Sequence, residues 1–141
     1  MATIHLPPHD ARSRLSETVR YVDVRTPEEF AEGHPQGALN IPVGFYGPYG
    51  MTLNPHFLST MKQHFALDAT IVLGCRSGGR SASAADLLAQ HGFTGELINV
   101  LGGYHGGPGP NGQVVGWRDA GLPTGTDGTP WADLAPGSGP G

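Results

Sequence analysis

The sequence is poorest in cysteine, with one residue, Cys75, among 141. A lone thiol cannot close a disulfide within the chain, so no disulfide framework holds the fold, and a reducing, cytoplasmic setting is expected. Charge is also scarce. Charged residues make up 14% of the chain and the net charge is −4, which argues against the basic stripe that nucleic-acid binding requires. No run approaches the roughly 18 apolar residues of a membrane span. The opening "MATIHLPPHDARSRL" has no apolar stretch long enough for a signal peptide. Neither nucleic acid nor a membrane is therefore expected as a partner. The seven histidines have no cysteine or carboxylate clustered with them at ligand spacing, and no metal or other cofactor is expected. His5 and His9 flank two prolines, which keeps them off a common helix face.

Glycine (23 residues) and proline (13) are plentiful and clustered in 43–55, 102–116 and 123–141. The length suits one domain with a real core. "YVDV" from Tyr21 reads as a short strand. In "TPEEF", Thr26 is a helix N-cap, Pro27 the first helical residue and Glu29 the far half of a capping box, with Gly33 as the stop. "GALNIP" is a second strand, and "NPHFLSTMKQHF" a helix with Phe57, Leu58, Met61 and Phe65 on one face. "TIVLG" is a continuous apolar run, as in a strand buried on both faces. An alanine-rich helix from about Ser81, a strand "ELINVL" and a short helix "WRDAG" follow. Strands alternating with helices predict an α/β fold, a parallel central sheet flanked by helices on both faces. The domain is placed at residues 15–124, after an N-terminal segment (1–14) with no assignable element. Residues 125–141 read as a flexible Gly/Pro-rich tail.

The chemistry is concentrated in "GCRSGGRS". Cys75 falls between a buried strand and a helix, at the carboxyl edge where open α/β sheets bind ligands. A short glycine-rich loop can turn successive amides inward, and the helix N-terminus adds positive partial charge. A thiol placed there is favoured as thiolate. Arg76 and Arg80 sit at the same helix start, where cations are disfavoured by ~0.3–1 kcal/mol; a bound anion would offset that. Ser77 and Ser81 add hydroxyl donors, and Ser81 is a candidate N-cap. The bland alternative for a lone thiol, a small core hydrophobe, fits poorly with two arginines and glycines around it. The spacing from Cys75 to Arg80 is C-x4-R, one residue shorter than the C-x5-R of thiolate phosphatases, and a tighter loop suits a smaller transferred unit such as one sulfur atom.

The chain resembles the rhodaneses, single-domain sulfurtransferases. The likeness rests on "YVDVRTPEEFAEGHPQGALNIP", "VLGCRSGGRSASAADLLAQHGF", and "NVLGGY" with "WRDAGLPT". "YGMTLNPHFLSTMKQHF" is similar to the plant senescence-associated, dark-inducible type. The resemblance implies a rhodanese-like fold, with Cys75 as nucleophile and persulfide carrier. Residues Arg76, Ser77, Gly78, Gly79, Arg80 and Ser81 would form the substrate-binding loop, with Arg76 and Arg80 steering an anionic donor. Arg76 followed by Ser77 mixes the patterns of thiosulfate-preferring and mercaptopyruvate-preferring relatives, and thiosulfate is the first choice over a related donor. With no second cysteine to resolve the persulfide, the acceptor must be external, a thiol such as glutathione or thioredoxin. A monomer is expected. Asp23 and Arg25 are expected as an ion pair behind the loop, and His34 as a packing residue. The family spaces Gly-Gly and Trp by three residues. Here "YHGGPGPNGQVVG" intervenes, read either as a tolerated surface insertion or as a lid that brings Tyr104 and His105 near the cysteine. Phe45, Tyr46 and Tyr49 either wall the pocket or pack in the core. Two other readings remain open: an arsenate reductase or phosphatase using the same thiolate, and a sulfur-relay or binding module without catalysis.

Overall fold

The structure, a computed structural model, describes residues 3–136. In chain order its elements are β1 (Ile4–Leu6), α1 (Pro8–Ser13), β2 (Tyr21–Asp23), α2 (Pro27–Glu32), β3 (His34–Pro35), β4 (Leu39–Asn40), β5 (Gly44–Gly47), β6 (Gly50–Leu53) and α3 (Phe57–His64). Then come β7 (Ile71–Gly74), α4 (Gly79–Gln90), β8 (Leu97–Val100), β9 (Gly107–Gly109), β10 (Gly112–Val114), β11 (Thr124–Gly125) and α5 (Trp131–Leu134). Five strands form a fully parallel sheet in the order β1-β8-β7-β2-β4, which puts the apolar run of β7 at its centre.

Period-two alternation sends successive side chains to opposite faces. On one face Val22, Ile71, Leu73 and Leu97 meet Phe57 and Met61 of α3 and Ala84, Ala85 and Leu88 of α4. On the other, Tyr21, Val72, Ile98 and Val100 meet Ala11 of α1 and Phe30 of α2. The expected two-faced sheet is therefore the observed one. The capping box at α2 forms as read. Thr26 Oγ1 accepts from the Glu29 N–H, the Glu29 carboxylate accepts from the Thr26 N–H, and Pro27 stands in the first turn.

Four expectations need correction. The N-terminal segment is part of the domain, because β1 pairs with β8 as the edge strand and Ala11 of α1 is fully buried. Residues 125–136 are not a free tail. β11 pairs with β3, Thr129 exchanges backbone bonds with Ala38 and Asn40, and Trp131 and Leu134 pack on the core. Residues 137–141 lie outside the described residues. "WRDAG" is a turn rather than a helix, since its backbone is tied to the segment after β8: Trp117 N–H donates to Gly103 O and Arg118 N–H to Tyr104 O. The helix after β6 starts at Phe57 rather than Asn54, whose buried amide instead donates to Pro42 O and accepts from the His56 N–H. His34 is a buried packing residue. Its Nε2 accepts from Gly128 N–H at 2.8 Å, which leaves Nδ1 to donate to Phe30 O at 2.8 Å.

Candidate active site

Strand β7 delivers Cys75 to the carboxyl edge of the sheet, and α4 leaves four residues later. The turn between them depends on Gly78, whose φ of +110° is left-handed territory that a side chain disfavours. That conformation makes Gly78 the N-cap of α4 and aims its N–H at the Cys75 sulfur, 3.1 Å away. The helix thus begins two residues before the expected start. Ser81 is not the cap but lies in the first turn, fully buried, with its hydroxyl 3.3 Å from the same sulfur. Of the loop amides expected to turn toward the sulfur, the Gly78 N–H is the one bonded to it among the described residues, and the Ser81 hydroxyl lies within reach as a second donor. Cys75 is only 1% exposed and borders the apolar cluster on the α3–α4 face.

The two arginines of the loop have different surroundings. Arg76 is exposed and has no carboxylate partner among the described residues. Arg80 makes a bidentate pair with Glu29, at 2.7 and 2.9 Å, and lies under the Tyr46 ring at 5.5 Å. The anion expected to offset Arg80 at the helix start is therefore a carboxylate of this chain, not a ligand. Burial alone would raise the Glu29 pKa. The hydrogen bonds from Arg80 and Thr26 and the arginine's charge outweigh it and hold the group at about 2, from an ordinary 4.5. Tyr46 and Tyr49 are exposed on the β5–β6 hairpin, which rules out core packing for both, whereas Phe45 is half-buried. Ser77 and Gly79 are exposed.

Behind the loop, Asp23 and Arg25 form the expected ion pair, each 1% exposed. Arg25 Nε lies 3.0 Å from both carboxylate oxygens, its Nη2 bonds Asp23 and the Gly33 carbonyl at 2.7 Å each, and its guanidinium lies 4.5 Å from the centre of the Tyr104 ring. Tyr104 in turn holds the loop: its N–H donates to Cys75 O and the His105 N–H to Arg76 O, both at 2.8 Å. The segment after Gly103 is thus bonded to the active loop, and it continues into the β9–β10 hairpin. This is more than a surface insertion. His105 has its pKa lowered, first by partial burial and then by the charges of Arg118, Arg25 and Arg76, so its neutral form is favoured beside the site.

The sequence reading missed the role of Glu29 as partner of Arg80, and missed Asn99 altogether. Asn99, 2% exposed on β8, accepts from Ser81 Oγ at 2.5 Å. The signal was present: an amide among the apolar residues of "LINVL" must find a partner once that strand is buried.

The sequence matches the family described as "Rhodanese-like domain" over residues 7–107. It is 45% identical over 105 residues to thiosulfate sulfurtransferase 16, chloroplastic, of Arabidopsis thaliana, covering 74% of this chain and 78% of that protein. It is 40% identical over 99 residues to the senescence-associated protein DIN1 of Raphanus sativus, covering 70% of this chain and 54% of that one. The chain therefore spans about half the length of DIN1. Among solved structures, the crystal structure of Rv0390 from M. tuberculosis superposes with a TM-score of 0.70 at 26% identity, over 89% of this chain and 99% of that one.

Proposed function

The chain belongs to the rhodanese family, and on that premise we propose that it is a sulfurtransferase that carries one sulfane sulfur on Cys75, with thiosulfate as donor. The observation that carries the reading is the Cys75 sulfur at the end of β7 with the Gly78 N–H and the Ser81 hydroxyl within 3.1 and 3.3 Å. A peptide N–H aimed at the sulfur, with a hydroxyl in reach, suits an anion there, which the reaction needs twice, first as thiolate and then as persulfide.

In the first half-reaction the Cys75 thiolate attacks the terminal sulfur of thiosulfate. A sulfur–sulfur bond forms to the cysteine, the bond to the sulfonate sulfur breaks, and its electron pair leaves with sulfite. In the second, an external thiolate attacks the outer sulfur of the persulfide, takes it as its own persulfide, and returns Cys75 as thiolate. Cyanide does the same in the assay and leaves as thiocyanate. Cys75 is only 1% exposed, so a donor must present a single terminal atom rather than a whole tetrahedral group. That, with Arg80 committed to Glu29, counts against the phosphatase and arsenate reductase readings, where an arginine must embrace the oxyanion. Glutathione or thioredoxin is the proposed acceptor, and a monomer in a thiol-reducing compartment the proposed working state.

The test is cyanide sulfuration with thiosulfate on wild type and Cys75→Ser, together with intact mass after donor exposure. Wild type should turn over and gain one sulfur atom; the variant should do neither. Activity that survives in Cys75→Ser refutes the assignment. Phosphatase or arsenate reductase activity without any sulfur adduct would favour the alternatives.

A further inference from the structure

A line of hydrogen-bonded side chains runs from the Cys75 sulfur to the protein surface. Ser81 Oγ lies 3.3 Å from Cys75 Sγ, 3.3 Å from Gly78 O and 2.5 Å from Asn99 Oδ1. At the other end of the Asn99 amide, Nδ2 lies 3.0 Å from His5 Nδ1. The line crosses from the first turn of α4 to β8 and on to the edge strand β1. Ser81 is fully buried and Asn99 nearly so. His5 is exposed in a cleft of about 310 Å³ that it shares with Ser77, Gly78, Ala82 and Pro108.

Counting protons constrains this line. A hydroxyl has one to give, and three acceptors surround Ser81. As the amide stands, Asn99 Nδ2–H donates to His5, which requires His5 Nδ1 to be unprotonated. Asn99 Oδ1 then takes the Ser81 proton, across the shortest of the three distances. The sulfur is left with the Gly78 N–H alone. When His5 Nδ1 carries a proton, two donors would face each other. Turning the amide over exchanges its ends: Oδ1 accepts from His5, Nδ2 donates to Ser81 Oγ, and the Ser81 proton is released to the sulfur.

We propose that His5 is a positioning residue for the Cys75 sulfur, acting through Asn99 and Ser81. With His5 Nδ1 unprotonated, the serine hydroxyl serves Asn99; with it protonated, the hydroxyl serves the thiolate or persulfide anion. The functional consequence rests on Cys75 being the sulfur carrier. No bond is made or broken beyond one proton taken up from solvent by the imidazole. Among the described residues, the groups around His5 are few. From β8 comes the neutral Asn99; from the active loop Ser77, with Arg76 next to it; from the loop after β8, Leu101 and Gly102. From α4 comes Asp86, which accepts at 2.8 Å from the hydroxyl of Thr3, the residue just before β1 and two before His5.

The test uses the chain's single cysteine. Ultraviolet thiolate absorbance, with Cys75→Ser as the blank for tyrosine, titrates Cys75 without any donor or turnover, so its outcome is separate from that of the sulfuration assay. Lysine at position 5 is a permanent donor and never an acceptor. His5→Lys, at an exposed position, should raise the acid constant of the Cys75 thiol about tenfold over wild type with a neutral His5, the scale of one hydrogen bond to a charged atom. In a Ser81→Ala background the same replacement should change nothing. A His5→Lys thiol that titrates like wild type overturns the proposal. So does a shift that persists without the Ser81 hydroxyl, because the lysine charge would then act through space.

Discussion

Asp23 and Arg25 offer the sharpest test of how the loop is held. Both are 1% exposed, and Arg25 spends its donors on the Asp23 carboxylate and the Gly33 carbonyl while its face lies on Tyr104. Burial works against the charge on Arg25, but the hydrogen bonds and field of Asp23 more than restore it, so the guanidinium is held firmly charged. An arginine has no neutral state to retreat to. Asp23→Ala therefore strands a buried cation, at a cost of about 3–5 kcal/mol, against roughly 5–15 kcal/mol for a whole domain. At ~3 °C per kcal/mol for a chain of this size, the melting temperature should fall by roughly 10–15 °C. Asp23→Asn keeps an acceptor oxygen and loses only the charge, so its cost should be smaller, about 1.5–3 kcal/mol. Urea denaturation followed by tryptophan fluorescence measures both. If Asp23→Ala costs under ~1 kcal/mol at unchanged m, the pair does not anchor the loop and the account of Tyr104 fails with it.

Two further outcomes are expected. At Gly103, φ is +56° and a Cβ would lie 2.4 Å from Cys75 O and 2.7 Å from Arg76 C, both backbone atoms. Gly103→Ala should thus cost more than ~2 kcal/mol and depress sulfur transfer, whereas Gly79→Ala in the same site meets nothing within 4 Å and should be neutral or stabilising by ~0.5 kcal/mol; equal behaviour of the two, read by thermal melts, would contradict the packing described. Glu29 has its pKa depressed from 4.5 to about 2, so its contribution is complete above 4.5 and lost as pH falls through 2. The stability gap between wild type and Glu29→Gln, about 1–2 kcal/mol after allowance for solvent screening, should hold at neutral pH and close across that window in urea titrations.

The parts of the fold that were legible in the sequence are those written in side-chain pattern. "TIVLG" had to be a strand covered on both faces, and the pair of Thr26 and Glu29 marked a helix start that formed as read. β1 was missed because three residues are too few for a period to show, and its place beside β8 is set by backbone pairing from the far end of the chain. The segment after Thr124 misled because glycine and proline composition describes side chains, while the docking of residues 125–129 is done mostly by peptide groups, with the Asp127 carboxylate and the His34 ring adding one bond each. At the site, the spacing of Cys75 and Arg80 was visible, but Glu29 stands 51 residues away from Arg80. No local pattern could show that this arginine was already paired. Asn99 was announced by its own polarity, yet its partners, Ser81 and His5, come from two other elements.

That pairing of Arg80 decides which cation can meet an anionic donor. Of the two loop arginines, Arg80 is 17% exposed on its side chain and bridged to Glu29, while Arg76 is exposed. A salt-bridged arginine presents a neutral pair to an approaching dianion; a free one presents its full charge. With thiosulfate as donor, Arg76→Ala should raise KM severalfold, the effect of ~1 kcal/mol from one exposed charge, with kcat little changed. The increase should shrink as salt is added, because the screening length is ~8 Å at physiological ionic strength. Arg80→Ala should act differently: it leaves Glu29 without its partner beside the loop, so it should lower stability and kcat, and added salt should not mask the loss. Steady-state kinetics on both variants at low and high salt separate the cases. A larger, salt-sensitive KM effect from Arg80→Ala than from Arg76→Ala would mean that the donor breaks the Glu29 bridge on binding, and that the charge read here as structural is the one that receives the substrate.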